Sequence, residues 1–245
     1  MKTISLLQRL IREFIEENPG SKKKIYVLVG PPSVGKSTWI KETFQESQPY
    51  VINRDDIAEG VAEGMGWTYD DMFMAPPKDS NEGDEDEKYG VVVKSPPWMT
   101  WQPLSFDKVL MANSKIQQRF SERVSAAAGS GQDIVVDMTN MNAGARKGAL
   151  KAIEGKEQDY EKIAVVFNFK GAEDLIMRVA EKRAEVAKRM GKSKTIPPAA
   201  MQRMFSSFQD VSPEERFDKV VPVDKIRDIE KYLNESLKRK RLNRR

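Results

Sequence analysis

The feature that most constrains the fold of this chain is a glycine loop placed directly after a short apolar run. Residues Ile25 to Val29 form the run, and the next eight residues read Gly30-Pro31-Pro32-Ser33-Val34-Gly35-Lys36-Ser37. The spacing G-x4-G-K-S between a predicted strand and a predicted helix, here Ser37 to Glu46, is the phosphate-loop pattern. Glycines let successive N–H groups face a phosphate, and the helix N-terminus adds partial positive charge. We therefore predict a nucleotide-phosphate site over Gly30 to Thr38.

The side chains of this loop predict more specific contacts. Lys36 would reach the β- and γ-phosphates, and the Ser37 hydroxyl would ligate magnesium. Asp137 closes the apolar run Ile134 to Val136, where a second magnesium ligand is expected; the alternative is a carboxylate that caps a helix. Because no guanine-reading motif accompanies the loop, we expect ATP rather than GTP as the nucleotide.

The rest of the chain alternates strand-like and helix-like segments. Further strands are predicted at Tyr50 to Ile52, Ile134 to Val136, Ile163 to Phe169 and Lys219 to Val223. Helices are predicted at Asp55 to Gly64, Phe106 to Ala128, Asn142 to Glu154, Ala172 to Met190, Pro198 to Gln209 and Asp224 to Lys240. This alternation predicts an α/β fold of the P-loop NTPase type, with a nucleotide-kinase-like parallel β-sheet flanked by helices.

We expect one kinase-type domain over residues 21–245, preceded by an amphipathic helix over residues 1–20. Residues 65–103 read as an insertion that is acidic from Asp79 to Glu87 and contains three tryptophans. Residues 189–198 are basic and lie between predicted helices, which is typical of a mobile lid. The basic tail over residues 238–245 is either a solvated helix end or a weak contact with nucleic-acid phosphates.

Composition excludes several classes of function. The chain contains neither cysteine nor histidine, so a disulfide framework, a Cys- or His-ligated zinc site and a histidine base are all excluded. Acid–base chemistry must therefore use carboxylates, lysine or tyrosine. No segment approaches the roughly 18 apolar residues of a membrane span, so we expect a cytoplasmic protein with no membrane partner. The N-terminal helix could pack on its own domain or form a homo-oligomer contact.

Carboxylates follow the second predicted strand in the segment Asn53-Arg54-Asp55-Asp56. A carboxylate at the tip of a strand beside the phosphate loop would face the γ-phosphate, where an acceptor hydroxyl would lie. Asp55 is then the natural proton acceptor for that hydroxyl. The alternative is that Asp55 or Asp56 only caps the following helix.

Four segments together resemble one family. GPPSVGKSTWI, VINRDD, DMTNMN and TIPPAAMQRMF occur in this order between Lys24 and Phe208, and the combination resembles the phage polynucleotide 5′-hydroxyl kinases. The resemblance implies ATP-dependent phosphorylation of 5′-OH ends of DNA or RNA, an activity of nucleic acid repair. It implies these roles for single residues: general base for Asp55, acceptor-site contacts for Arg54, Thr139 and Asn140, and a lid contact with the donor phosphates for Arg189, with Arg183 and Lys192 as competitors.

The chain departs from this family at its acceptor site. Ala58 stands where the family has an acceptor-phosphate arginine, so we assign that contact to Arg146, with Lys147 as the alternative. The family also has a carboxylate next to its Thr-Asn pair. In this chain that carboxylate is shifted by one residue, because Met138 directly precedes Thr139. No DxDGT-type phosphatase motif follows the resemblance, so we expect kinase activity only. Two rival functions remain: a kinase of a nucleoside, small metabolite or modified base in DNA, and a nucleotide-binding module that transfers no phosphate.

Overall fold

The computed structural model describes residues 22–67, 90–95, 98–103, 106–189 and 195–233. Its strands are β1 (Lys23–Val29), β2 (Tyr50–Ile52), β3 (Gly90–Ser95), β4 (Trp98–Pro103), β5 (Ile134–Val136), β6 (Tyr160–Phe167) and β7 (Lys219–Val223). Its helices are α1 (Lys36–Thr43), α2 (Arg54–Gly64), α3 (Phe106–Ala127), α4 (Ala143–Ala149), α5 (Glu173–Arg189), α6 (Pro198–Ser206) and α7 (226–233). Short 3-10 turns follow α4 and precede β6 and β7.

The core of the fold is a five-stranded sheet in the order β2-β5-β1-β6-β7, and each neighbouring pair is parallel. Ile25 of the central strand β1 lies opposite Ile134 on one side and Lys162 on the other. From Ile25 to Val29 the central strand is almost wholly buried, which explains its unbroken apolar sequence. The predicted α/β fold with a parallel sheet is confirmed.

Both faces of the sheet are covered by helices. One face packs against α3 and the turn after α4, through Ala127, Ala152 and Ile153. The other face packs against α1, α5 and α6, where Ile176 and Met201 are fully buried. Since the carboxyl ends of parallel strands meet at one edge, the loops after β1, β2 and β5 are brought together there.

Helix α2 packs against α3 through a small apolar cluster that includes Ile57, Ala58, Val61, Ala112 and Ile116. Ala58 is only 2% exposed. This contact explains the alanine where the resembled family has an arginine, because a guanidinium at this position would have to enter the interface between the two helices.

Several predicted segments lie partly outside the described residues. These are the N-terminal helix, residues 68–89 of the insertion, residues 190–194 of the lid and the basic tail. The described part of the insertion is an antiparallel hairpin, with β3 paired to β4. None of the helices in the described ranges is long and apolar enough to cross a membrane.

Candidate functional site

The phosphate loop joins β1 to α1 with a backbone that requires glycine. Gly35, directly before the first residue of α1, has a φ of 102°. A Cβ built on Gly35 would lie 3.1 Å from the Cβ of Lys225, which follows β7. A side chain at this position is therefore disfavoured both by backbone conformation and by space. The loop, the start of α1 and the segment after β7 are packed closely together.

Lys36 is drawn into the loop by two hydrogen bonds. Its Nζ donates to the carbonyl oxygens of Gly30 and Pro31, at 2.9 Å each. The residue is 9% exposed. Ser37 and Thr38, in the first turn of α1, are exposed. The predicted phosphate-contacting residues therefore lie together at the carboxyl edge of the sheet.

Three neighbouring charges act on the Lys36 ammonium. Burial lowers its pKa to about 8, whereas the negative charges of Asp137 and Asp55 act in the opposite direction. The Arg183 guanidinium adds to the lowering. The charges of both predicted carboxylates and of one of the three candidate lid cations therefore act on the pKa of Lys36.

The two carboxylates follow different strands. Asp137 follows β5, which is hydrogen-bonded to β1, as expected for the magnesium ligand. Asp55 lies in α2, which follows β2, and β2 is separated from β1 by β5. The expectation that the strand before Asp55 lies directly beside the phosphate-loop strand was wrong. Adjacent strands are about 4.8 Å apart, so β2 lies roughly 10 Å from β1, with β5 between them.

Asn53, for which no role is predicted above, links the backbone of Asp55 to the carboxylate of Asp137. Its Oδ1 accepts from the backbone N–H of Asp55 at 2.9 Å and of Asp56 at 3.4 Å. Its Nδ2 donates to Asp137 Oδ2 at 3.4 Å. Asn53 is thus the N-cap of α2, and the alternative that an aspartate caps this helix was wrong. An asparagine directly before an acidic helix start was the signal available in the sequence.

Asp137 does not cap a helix either. Its backbone N–H donates to the carbonyl of Ile52 at 2.9 Å, which extends the β2–β5 pairing by one residue. The next helix, α4, is capped by the Asn142 side chain, which accepts from the N–H of Ala145. The carboxylate of Asp137 is therefore placed by the sheet and oriented by Asn53.

Thr139 and Asn140 fasten the β5 loop to the phosphate loop. The N–H of Gly30 donates to the Thr139 carbonyl at 2.9 Å, and Asn140 Nδ2 donates to the Leu28 carbonyl at 2.8 Å. Asn140 is 1% exposed and has a φ of 46°. This burial does not fit the acceptor-lining role predicted for Asn140, because its amide supports the backbone instead. For Thr139, which is half-buried, that role stays a prediction.

The phosphate contact predicted for Arg146 does not fit the structure. Its side chain is fully buried, and all five N–H donors of the guanidinium have protein acceptors. Nε and Nη2 donate to the two carboxylate oxygens of Glu215 at 2.6 and 2.7 Å. The other donors reach the carbonyls of Asn140, Gln209 and Asp210. No donor is left for an acceptor phosphate.

The remaining predicted cations lie on two helices. Arg54 is the first residue of α2 and is half-buried. Arg189 is exposed at the last residue of α5, two turns beyond Arg183, whose guanidinium lies 5.7 Å from the ring centre of Tyr232. Lys192 lies outside the described residues. Of the candidate lid cations, Arg183 is the one whose charge acts on the pKa of Lys36, which favours it over Arg189 for the phosphate contact.

The donor set fits magnesium better than a metal held by protein ligands alone. In the described ranges, no group of three or more acidic side chains could hold a metal ion. Mg²⁺ is usually bound by one or two carboxylates together with substrate phosphates and waters. A single carboxylate, Asp137, together with the exposed Ser37 hydroxyl would make that kind of incomplete site.

A cavity of about 470 Å³ opens at the carboxyl ends of β6 and β7. Phe167 and Val223 line it from the strands, and Phe208 and Asp210 line it from the segment after α6. Phe167 also lies against the phosphate loop, since a Cβ on Gly30 would be 3.1 Å from the Phe167 Cβ. The volume is within the usual range of small-ligand pockets.

Comparison with protein families gives one match over most of the chain. Residues 25–211 match the profile of the family described as AAA domain (AAA_33). Together with the sheet order, this match shows a P-loop domain with a nucleotide-kinase-like fold. No curated protein matches the sequence.

Solved structures are similar at low identity. A candidate kinase from Chloroflexus aurantiacus aligns with a TM-score of 0.42 and 11% identity, covering 89% of this chain and 97% of that one. A protein of the PezAT toxin–antitoxin system of Streptococcus pneumoniae aligns with a TM-score of 0.49 and 11% identity, covering 90% and 76%. A gluconokinase from Sinorhizobium meliloti aligns with a TM-score of 0.32 and 18% identity, covering 91% and 95%.

Proposed function

The chain belongs to the AAA domain family, and we propose that it is an ATP-dependent polynucleotide 5′-hydroxyl kinase. The observation that carries the proposal is that Asn53 holds the backbone N–H of Asp55 and donates to the Asp137 carboxylate, so that both acids lie at the carboxyl edge of the sheet. A module that only binds nucleotide needs no second carboxylate opposite its phosphate loop. A kinase needs one to accept the proton of the acceptor hydroxyl.

The chemical step assigns one task to each side chain. The acceptor oxygen bonds to the γ-phosphorus, the bond from that phosphorus to the β–γ bridging oxygen breaks, and ADP leaves. The acceptor proton passes to the Asp55 carboxylate. Lys36 and Arg183 hold the charge that spreads over the transferring group and the departing oxygen. Ser37 and Asp137 would hold Mg²⁺, which would supply neutralisation of the phosphate charge.

The polynucleotide acceptor is supported by the ordered resemblance of four segments, including NRDD after the second strand. A labelling experiment tests it. The protein is incubated with γ-labelled ATP, Mg²⁺ and DNA or RNA oligonucleotides that carry a 5′-hydroxyl, with the same oligonucleotides bearing a 5′-phosphate as matched controls. We expect label on the 5′-hydroxyl oligonucleotides only. Label confined to inorganic phosphate would contradict the proposal.

A second candidate is a kinase of the same fold that acts on a small acceptor. The observations that favour it are the burial of Ala58 between α2 and α3 and the full engagement of Arg146, since neither position supplies a cation for an acceptor phosphate. The same labelling experiment separates the two candidates when nucleosides and sugars are added as acceptors. Label on one of these alone would replace the polynucleotide proposal.

A further inference from the structure

Arg146 is the largest side chain that is less than 2% exposed in the described part of the protein. Burying an arginine costs several kcal/mol unless its charge and all its donors are paired. Here the pairing is complete, with Glu215 opposite the fork of Nε and Nη2. The guanidinium also holds the pKa of the Glu215 carboxyl below its usual range. Such complete pairing requires a specific arrangement of the segments that supply the acceptors.

One of those segments leads to the phosphate loop. Arg146 Nη1 donates to the Asn140 carbonyl at 3.2 Å. The Asn140 side chain in turn donates to the Leu28 carbonyl, near the end of β1. The carbonyl of Thr139, the residue before Asn140, accepts from the N–H of Gly30. Asn140 has a left-handed φ, a conformation that needs support from its surroundings. The guanidinium is therefore two contacts away from the first residue of the phosphate loop.

The other segment forms a wall of the cavity. Arg146 donates to the carbonyls of Gln209 and Asp210, at 3.0 and 3.3 Å. Gln209 is fastened further, because its N–H donates to the Met141 carbonyl and its Oε1 accepts from a backbone N–H of α4. The residues on either side of Gln209, Phe208 and Asp210, line the cavity. The same guanidinium thus anchors both the loop before α4 and the wall after α6.

We propose that Arg146, paired with Glu215, is a positioning residue that fixes the phosphate loop and the cavity wall relative to each other, and thereby sets the affinity for the nucleotide without touching it. The inference rests on the proposed function only in taking ATP as the ligand. A lysine could not replace the arginine, because an ammonium is a point charge and cannot hold a carboxylate and three carbonyls in one plane.

Magnesium–ATP affinity of variants, measured by calorimetry without any acceptor, tests the proposal. We expect Arg146→Ala and Arg146→Lys to weaken ATP binding by roughly tenfold or more, since small displacements of positioning groups are costly. Added guanidinium at about 20 mM, far below denaturing concentrations, should restore part of the ATP affinity that Arg146→Ala has lost. The same addition should leave the ATP affinity of wild type unchanged. Lys151→Ala, an exposed change in the turn after α4, is the matched control and should bind as wild type does.

ATP binding within twofold of wild type in a folded Arg146→Ala or Arg146→Lys protein would overturn the proposal, and so would lost affinity in Arg146→Ala that guanidinium does not restore. If Arg146→Ala does not fold, ATP affinity is measured in Arg146→Lys and Glu215→Gln instead. ATP binding by these variants within twofold of wild type would then overturn the proposal. The proposed function fails separately: wild type would then bind ATP with the predicted dependence on Arg146 but would label no acceptor.

Discussion

Burial disfavours the protonated form of Lys36, and the nearby carboxylates stabilise it. Desolvation lowers its pKa to about 8, and the charges of Asp137 and Asp55 oppose the shift. The two carbonyls of the phosphate loop that accept from Nζ hold the ammonium in place. At neutral pH the residue is therefore mostly protonated, and it loses its proton within an accessible range of pH.

This lowered pKa predicts opposite effects of rising pH on kcat/KM for ATP and on the free energy of unfolding. As pH rises through about 8, Lys36 loses its charge, so kcat/KM for ATP should fall. The unfolded chain keeps this proton up to the ordinary value of 10.5, so the contribution of Lys36 to the free energy of unfolding should rise between these two values. Steady-state kinetics and urea unfolding across this range measure both. A Lys36→Arg variant, which stays protonated, should lack the kinetic fall; a flat wild-type profile would contradict the assignment.

Asp55 and Asp56 offer a paired test of the general base. Both backbone N–H groups are held by Asn53, so neither aspartate side chain is needed for that cap. Asp55→Asn should lower the rate of phosphoryl transfer by about 10²–10⁴, the usual range for removal of a general base. Asp56→Asn should lower it by less than about tenfold, and ATP affinity should change little in either variant. Equal losses in single-turnover rates of the two variants would reject Asp55 as the base.

At the scale of elements, the junction of β1 and α1 depends on a glycine. Gly35→Ala forces a side chain into a backbone with a φ of 102° and towards the Cβ of Lys225. We expect a loss of roughly 1–2 kcal/mol of stability and a severe loss of ATP binding. Gly60→Ala, in the middle of α2 with open space around it, should instead raise stability by about 0.5–1 kcal/mol. Thermal unfolding and nucleotide titration of both variants test the contrast, and unchanged ATP binding by Gly35→Ala would contradict it.

The α2–α3 contact predicts the result of introducing an arginine at Ala58, the residue that the resembled phage kinases have there. Ala58→Arg would bury an unpaired charge between two helices, so the free energy of unfolding should drop by roughly 3–5 kcal/mol. Glu63→Arg, on the exposed side of α2, should change it by less than about 0.5 kcal/mol. Urea unfolding measures both. A stable Ala58→Arg protein with improved 5′-hydroxyl phosphorylation would show that this position faces the acceptor after all.

For the whole molecule, the features that follow from local pattern were predictable from sequence. The strands Tyr50–Ile52, Ile134–Val136 and Lys219–Val223 were predicted with their observed bounds, because short apolar runs between turn signals are typical of strands. The phosphate loop was predicted because its backbone chemistry requires fixed spacing. Helix ends were less accurate: the helix predicted to reach Glu154 ends at Ala149 and continues as a 3-10 turn.

Features that depend on contacts between distant segments could not be read from local pattern. The insertion of β5 between β1 and β2 is a matter of topology, and nothing in the strand sequences specifies that order. Arg146 looked like a phosphate ligand because it is basic, follows the third strand of the central sheet and lies near the predicted acceptor residues. Its partner Glu215 is 69 residues away in sequence, so the buried pair is visible only in the fold. The hydrogen bond from Asn53 to Asp137 likewise joins residues that are 84 positions apart in sequence.

The most direct test of the central claim is the destination of the γ-phosphate of ATP in a single turnover. Labelled ATP is mixed with excess protein, Mg²⁺ and either a 5′-hydroxyl oligonucleotide or the same oligonucleotide with a 5′-phosphate, and the products are separated. We expect the 5′-hydroxyl oligonucleotide to divert most of the label from inorganic phosphate to its own 5′ end, and the 5′-phosphorylated one to divert none. ATP consumed with label found only in inorganic phosphate, whichever oligonucleotide is present, would contradict it.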